Sequence, residues 1–140
     1  MAILAITSDG RFPLVRQYRP AIEAFTWELP AGLIDGDEPP GETCRRELRE
    51  ETGYVAGRLH ALGKAVVEAG RLGNSLHGFF VEIDGRDEAH VPEAGVETAL
   101  VTASDFREWI VSGRFPMQIH VGVVLQAILR GYLKPDLGRP

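Results

Sequence analysis

Only one cysteine, Cys44, occurs in the chain, so no intrachain disulfide can form and the fold must rest on non-covalent packing. The N-terminus has no basic flank followed by a long apolar run and a small-residue cleavage site, which leads us to expect a cytoplasmic protein. No uncharged apolar stretch reaches the ~18 residues that a membrane span requires, so no membrane partner is expected. Positive charge is sparse as well. Fifteen Lys+Arg stand against twenty Asp+Glu, a net charge of -5, and no basic cluster is dense enough to track a nucleic-acid backbone. Internal repeats and low-complexity segments are absent too.

What is present is ordinary globular composition, 44% hydrophobic and 25% charged. A chain of 140 residues can bury roughly two-thirds of its unfolded surface, and we expect one domain over residues 1–140. Acidity does not exclude a small polyphosphate ligand, because divalent cations held by carboxylates reverse the local sign.

Residues 2–7 and 12–17 are apolar, β-rich runs separated by Ser8-Asp9-Gly10-Arg11, whose Asp-Gly pair predicts a hairpin turn. A short extended segment at 24–29 ends at Pro30, and a Gly/Asp loop follows from Gly32 to Gly36. Pro39, Pro40 and Gly41 suit a helix lead-in, with Gly53 as its stop. Residues 58–68 and 75–83 read as two strands joined by the glycine-rich segment 70–74, and 96–102 as another strand. Ser104 is placed to cap a helix ending near Ser112. Ile119, Val123, Val124, Ala127, Ile128 and Tyr132 recur at helical spacing in a last helix over 118–133. Strands and helices mix without regular βαβ alternation, which predicts an α/β fold with a mixed sheet between helices.

The chemistry concentrates on the first helix. Glu47, Glu50 and Glu51 stand at i, i+3 and i+4, in one stripe about 100° wide. Like charges at those spacings cost a few tenths of a kcal/mol per pair, roughly, which a divalent cation would relieve. Carboxylate oxygens suit Mg²⁺ or Mn²⁺, and such ions keep open positions for water and substrate phosphate. Cys44, Leu48 and Thr52 form a neighbouring packing stripe, with Arg45 and Arg49 directed to solvent. For an isolated helix the plainer reading is a solvated surface with an Arg46–Glu50 ion pair at i,i+4.

The wider spacing favours the metal. Gly32, five residues, Glu38, seven residues, Arg46-Glu47-Leu48, one residue, Glu50-Glu51, one residue and Gly53-Tyr54 resembles the box that defines the Nudix hydrolases. Seven fixed identities at average composition arise by chance on the order of 10⁻⁸ per start position. The resemblance implies that Glu47, Glu50 and Glu51 hold divalent ions, Mg²⁺ or alternatively Mn²⁺, with the carbonyl of Ala31 as a further ligand. It implies supporting roles for Arg46, which orients the acids, for Glu38, which braces loop to helix, and for Gly32 and Gly53, which serve the backbone.

Residues 14–19, Leu-Val-Arg-Gln-Tyr-Arg, and 27–35, Trp-Glu-Leu-Pro-Ala-Gly-Leu-Ile-Asp, resemble the ADP-ribose and nucleoside-diphosphate-sugar branch of that family. From that branch, Arg19 and Glu28 are substrate-binding candidates; otherwise they are a surface ion pair and a strand-end charge. The resemblance also places the general base in the acidic loop 87–97, where Glu93 ranks first and Glu97 second, against the alternative of solvated loop charges. Glu50 and Glu51 share the catalytic role. Two departures widen the substrate range: 70–75 carries no proline where that branch usually has one, and the branch's N-terminal β-rich extension is short here. The implied activity is Mg-dependent hydrolysis of ADP-ribose or a related nucleoside diphosphate sugar. Dinucleoside polyphosphates, a damaged nucleotide, or a non-catalytic nucleotide-sensing module are the alternatives. A homodimer is expected, formed through an exposed apolar edge such as 2–6. His60, His77, His90 and His120 lack metal-ligand spacing and are expected to be structural or surface residues. Cys44 is expected in the core.

Overall fold

The computed structural model describes residues 1–140. Its strands are β1 (Ala2–Ile6), β2 (Phe12–Arg19), β3 (Ala24–Glu28), β4 (Tyr54–Val66), β5 (Ser75–Arg86) and β6 (Glu97–Val101). Its helices are α1 (Pro40–Thr52), α2 (Ala103–Ser112) and α3 (Gln118–Leu129). Two three-stranded sheets form, in orders β1-β5-β4 and β3-β2-β6. The first is mixed, with β1 parallel to β5 and β4 antiparallel to it, whereas the second is wholly antiparallel.

Every residue of β1 is buried, because its two faces feed two different clusters. Ile3 and Ala5 join Phe79 and Val81 of β5 against Cys44 and Leu48 of α1. Leu4 and Ile6 point the other way, into a larger cluster with Phe12 and Leu14 of β2, Phe106 of α2 and Val123, Val124 and Ala127 of α3. A strand covered on both sides carries an unbroken apolar run instead of an alternating one, and Ala-Ile-Leu-Ala-Ile is such a run. Helices therefore lie on both faces of the first sheet, as an α/β layered fold requires.

The expected hairpin between β1 and β2 does not form. The turn itself is present, with Gly10 at φ +80° and the Thr7 N–H donating to the Arg11 carbonyl at 2.9 Å, but it passes the chain from one sheet to the other. β1 spends its hydrogen bonds elsewhere, on β5 along one side and on the segment after β3 along the other. There Ile3 N–H donates to the Pro30 carbonyl at 2.9 Å and Gly32 N–H to the Met1 carbonyl at 3.2 Å. The same pairing corrects the expectation of an exposed edge at 2–6: that strand is enclosed and offers no partner a free ladder.

Two helix boundaries also differ. Thr102, extended at φ -69° and ψ 161°, caps α2 by accepting the Asp105 N–H, so Ser104 lies inside the helix. The last helix stops at Leu129, short of 133, and Gly131 then turns the chain at φ +79°. No helix is long and apolar enough to cross a membrane.

Candidate active site

α1 begins with Pro40 in its first turn, where a missing N–H costs nothing, and closes at Gly53, whose φ of +74° would strain any residue with a side chain. Its buried stripe is Thr43, Cys44, Leu48, Glu51 and Thr52. Cys44 behaves as core: burial pushes its thiol up to about 12, far from a nucleophile's range.

The acidic stripe divides by environment. Glu50 is open to solvent, with its side chain 54% exposed, Glu47 is mostly covered, and Glu51 is only 4% exposed. Glu51 is held by two partners from outside the helix, Gln17 of β2, whose Nε2 donates to Oε1 at 2.7 Å, and the Ala31 N–H, which donates to Oε2 at 2.9 Å. Burial raises the Glu51 pKa to about 7 against these two bonds, and the charges of Glu47 and Glu93 push the same way. Glu47 is raised too, first by burial, with Glu50 and Glu93 adding to it and Arg46 opposing.

Arg46 binds three carboxylates at once. Its Nη1 donates to Glu47 at 2.8 Å and to Glu50 at 3.0 Å, and its Nη2 donates to Glu38 at 3.1 Å. Glu38 also accepts the Thr43 hydroxyl at 2.9 Å, which ties the 32–39 loop to the first turn of α1. The i,i+4 pair of the plainer sequence reading is thus present, embedded in a larger network. Gly32 explains itself by space: a Cβ there would fall 2.1 Å from the Glu47 carboxyl carbon.

These carboxylates supply the hard oxygen donors that Mg²⁺ or Mn²⁺ prefers, and a carboxylate as deeply buried as Glu51 among other acids is one that a cation would stabilise. With Arg46 between Glu47 and Glu50, no three acidic or histidine side chains converge closely enough to cage an ion in this conformation. The donor chemistry fits the group, and Arg46 engages one oxygen each of Glu47 and Glu50, leaving their other oxygens free of it.

The other expected residues fall into two places. Glu93 lines an open groove of about 1090 Å³ together with Glu38, Arg46, Glu47 and Glu50. Glu97 instead pairs with Arg16 across the β2–β6 ladder, its two oxygens 3.1 and 3.2 Å from Nη1. Arg19 and Glu28 form a two-pronged ion pair, Nε to Oε1 at 2.7 Å and Nη2 to Oε2 at 2.5 Å, and the Thr26 hydroxyl adds a third bond. Burial of Glu28 would raise its pKa, but these donors outweigh it and leave the carboxyl below its usual range. Glu28 is fully enclosed, so a ligand can reach this pair only on its Arg19 side.

Sequence reasoning missed Gln17, His90 and Thr98. Gln17 looks like any polar residue of a strand. His90 Nε2 lies 2.8 Å from the Glu50 carbonyl and Thr98 Oγ1 donates to the Glu51 carbonyl at 3.1 Å, contacts made across 40 and 47 residues of sequence. Of the remaining histidines, His120 is buried, accepts the Leu29 N–H at Nδ1, and is lowered to about 4 by desolvation. His60 pairs with Glu82 at 3.0 Å.

The chain is similar to known proteins both in sequence and in fold. A family profile described as the NUDIX domain matches residues 1–118. An ADP-ribose pyrophosphatase of Mycobacterium tuberculosis (strain ATCC 25618 / H37Rv) is 33% identical over 96% of this chain and 68% of its own. An ADP-ribose pyrophosphatase of Bacillus subtilis (strain 168) is 37% identical over 59% of this chain and 44% of its own. Among solved structures, one titled as an ADP compounds hydrolase superposes with a TM-score of 0.77 at 20% identity, covering 95% of this chain and 72% of that one. The chain therefore spans two-thirds or less than half of the length of these two curated relatives. With the profile running through both sheets and the acidic helix, the chain belongs to the Nudix family.

Proposed function

We propose that this chain is a Mg²⁺-dependent hydrolase of the diphosphate linkage in ADP-ribose or a related nucleoside diphosphate sugar, releasing a nucleoside monophosphate and a sugar phosphate. The observation that carries this reading is one groove lined by Glu47, Glu50 and Glu93, with the buried Glu51 one turn along α1 from Glu47 and near enough to feel the charges of Glu47 and Glu93. Bound Mg²⁺ would neutralise phosphate charge and polarise the attacking water. Glu47, Glu50 and Glu51 are the residues to hold it, with Ala31 contributing from the loop. Gln17 and the Ala31 N–H fix the orientation of Glu51, and Arg46 and Glu38 fix the helix to its lead-in loop. Water forms the new P–O bond, the bridging P–O bond breaks, and Glu93 takes the proton. Glu93 is the better base than Glu97, whose carboxylate is engaged by Arg16.

The names of the curated relatives support a nucleoside diphosphate sugar as substrate. Arg19, held by Glu28 at the end of β2, is the cation we assign to substrate contact. Residues 119–140 lie beyond the matched profile yet supply Val123, Ala127, Leu133 and Leu137 to the larger core, which supports one domain over the whole chain. The lone buried cysteine supports a reducing, cytoplasmic setting. A homodimer remains our reading of assembly, now through exposed Tyr18, Ile22 and Phe25 around β2 and β3 and not through β1. Incubation with ADP-ribose and a panel of nucleotide sugars, with and without Mg²⁺, tests the activity. Release of monophosphate supports it, and a protein that binds these ligands without cutting any of them overturns it.

A further inference from the structure

Helices end with carbonyls that have no partner within the helix, and at α1 the Glu50 and Glu51 carbonyls, with that of the cap residue Gly53, are met by one segment from elsewhere in the chain. The Glu50 carbonyl accepts from His90 Nε2 at 2.8 Å; since a carbonyl oxygen can only accept, this nitrogen must carry the proton. The Glu51 carbonyl accepts from the Thr98 hydroxyl at 3.1 Å, and the Gly53 carbonyl from the Asp87 N–H at 2.8 Å. Asp87 is also gripped by Arg49, at 2.8 Å from Nε and 2.7 Å from Nη2. The His90 ring lies close to Gly53, where an added Cβ would meet Cγ and Nδ1 at 2.8 Å. Glu93 sits between these anchors, with Asp87 and His90 before it and Thr98 after it.

We propose that His90 is a positioning residue: with Thr98 it clamps the 87–98 segment onto the C-terminal carbonyls of α1 and so presents Glu93 to the groove that Glu47 and Glu50 line. The inference rests on the proposed hydrolytic reading for its kinetic part, and on geometry alone for the clamp. It also gives the glycine at 53 a second reason beyond its backbone angle, since any side chain there would displace the clamp. Between Asp87 at one end and β6, laddered to β2, at the other, residues 88–96 are irregular and mostly exposed, and the only backbone bonds within the stretch are the short-range ones from the His90 N–H to the Asp87 carbonyl and from the Val96 N–H to the Glu93 carbonyl.

The test uses the full chain with His90→Ala, His90→Gln, which restores an N–H donor, and Thr98→Val as an independent second cut. Amide hydrogen exchange over residues 88–96 should accelerate at least about tenfold in His90→Ala and less in His90→Gln, whether or not a substrate has been found. With ADP-ribose and Mg²⁺, kcat should fall between about ten- and a hundredfold with KM little changed, as small misplacements of a reacting group do. In a Glu93→Gln background the His90→Ala change should add almost nothing, because both act through one carboxylate. Should His90→Ala fail to fold, Thr98→Val carries the same expectations. Unchanged exchange in folded variants overturns the clamp, and full additivity with Glu93→Gln overturns the positioning role. A wild-type chain inactive on every nucleotide would instead count against the hydrolytic reading, with the exchange result still deciding the clamp.

Discussion

At the scale of single residues, Glu51 is where stability and function conflict. Its folded pKa of about 7 lies above the ordinary 4.5, so between those values the native state holds a proton that the unfolded chain has lost. Stability then falls as pH rises through that window and levels off above it, by about 3 kcal/mol at ~1.4 kcal/mol per unit. Metal-free Glu51→Gln should accordingly melt higher than the wild type at pH 8 and nearly alike at pH 4, while its turnover drops by orders of magnitude. Glu108→Gln, on the exposed side of α2, should change neither. A Glu51→Gln protein that melts lower than wild type at pH 8 would show that the buried carboxylate is satisfied without a cation. The glutamates themselves were legible in the sequence because their spacing is local, i, i+3 and i+4 on one helix. Gln17, His90 and Thr98 were not, because a polar residue in a strand or loop carries no sign of which distant carbonyl or carboxylate it will meet.

At the scale of elements, the loop before α1 and the glycine after it are the sensitive points. Gly32→Ala would drive the Glu47 carboxylate from its place, and we expect a large loss of turnover with a modest change in Tm. Gly53→Ala should cost roughly 1–2 kcal/mol from its left-handed backbone alone, plus the displacement of His90. Thermal melts alongside kinetics separate the two: a Gly32→Ala enzyme with normal turnover would remove the reason for that glycine. The existence of α1, β4, β5 and the late helices was readable from periodicity, capping and turn residues. The pairing of β1 was not. An Asp-Gly turn between two apolar runs fits a hairpin and fits equally a crossing between sheets, and only the burial of both faces of β1, a tertiary property, decides between them.

For the whole molecule, the expected assembly followed from an edge strand that the fold in fact encloses. Exposed apolar residues lie elsewhere, among them Tyr18 and Phe25, packed edge to face at 5.3 Å, and Ile22 on the short connection between β2 and β3. Light scattering at micromolar concentration should give twice the 15.4 kDa chain mass, and Phe25→Glu should shift it toward one chain; a monomer in both would end the dimer reading. The layered fold, the acidic helix and the enclosed Glu51 nevertheless converge on one chemistry. Its most direct test is monophosphate release from ADP-ribose by the purified protein, titrated with Mg²⁺ and then with excess EDTA. Release that rises with Mg²⁺ and stops with chelator is the predicted result, and turnover that continues undiminished in EDTA would contradict the account.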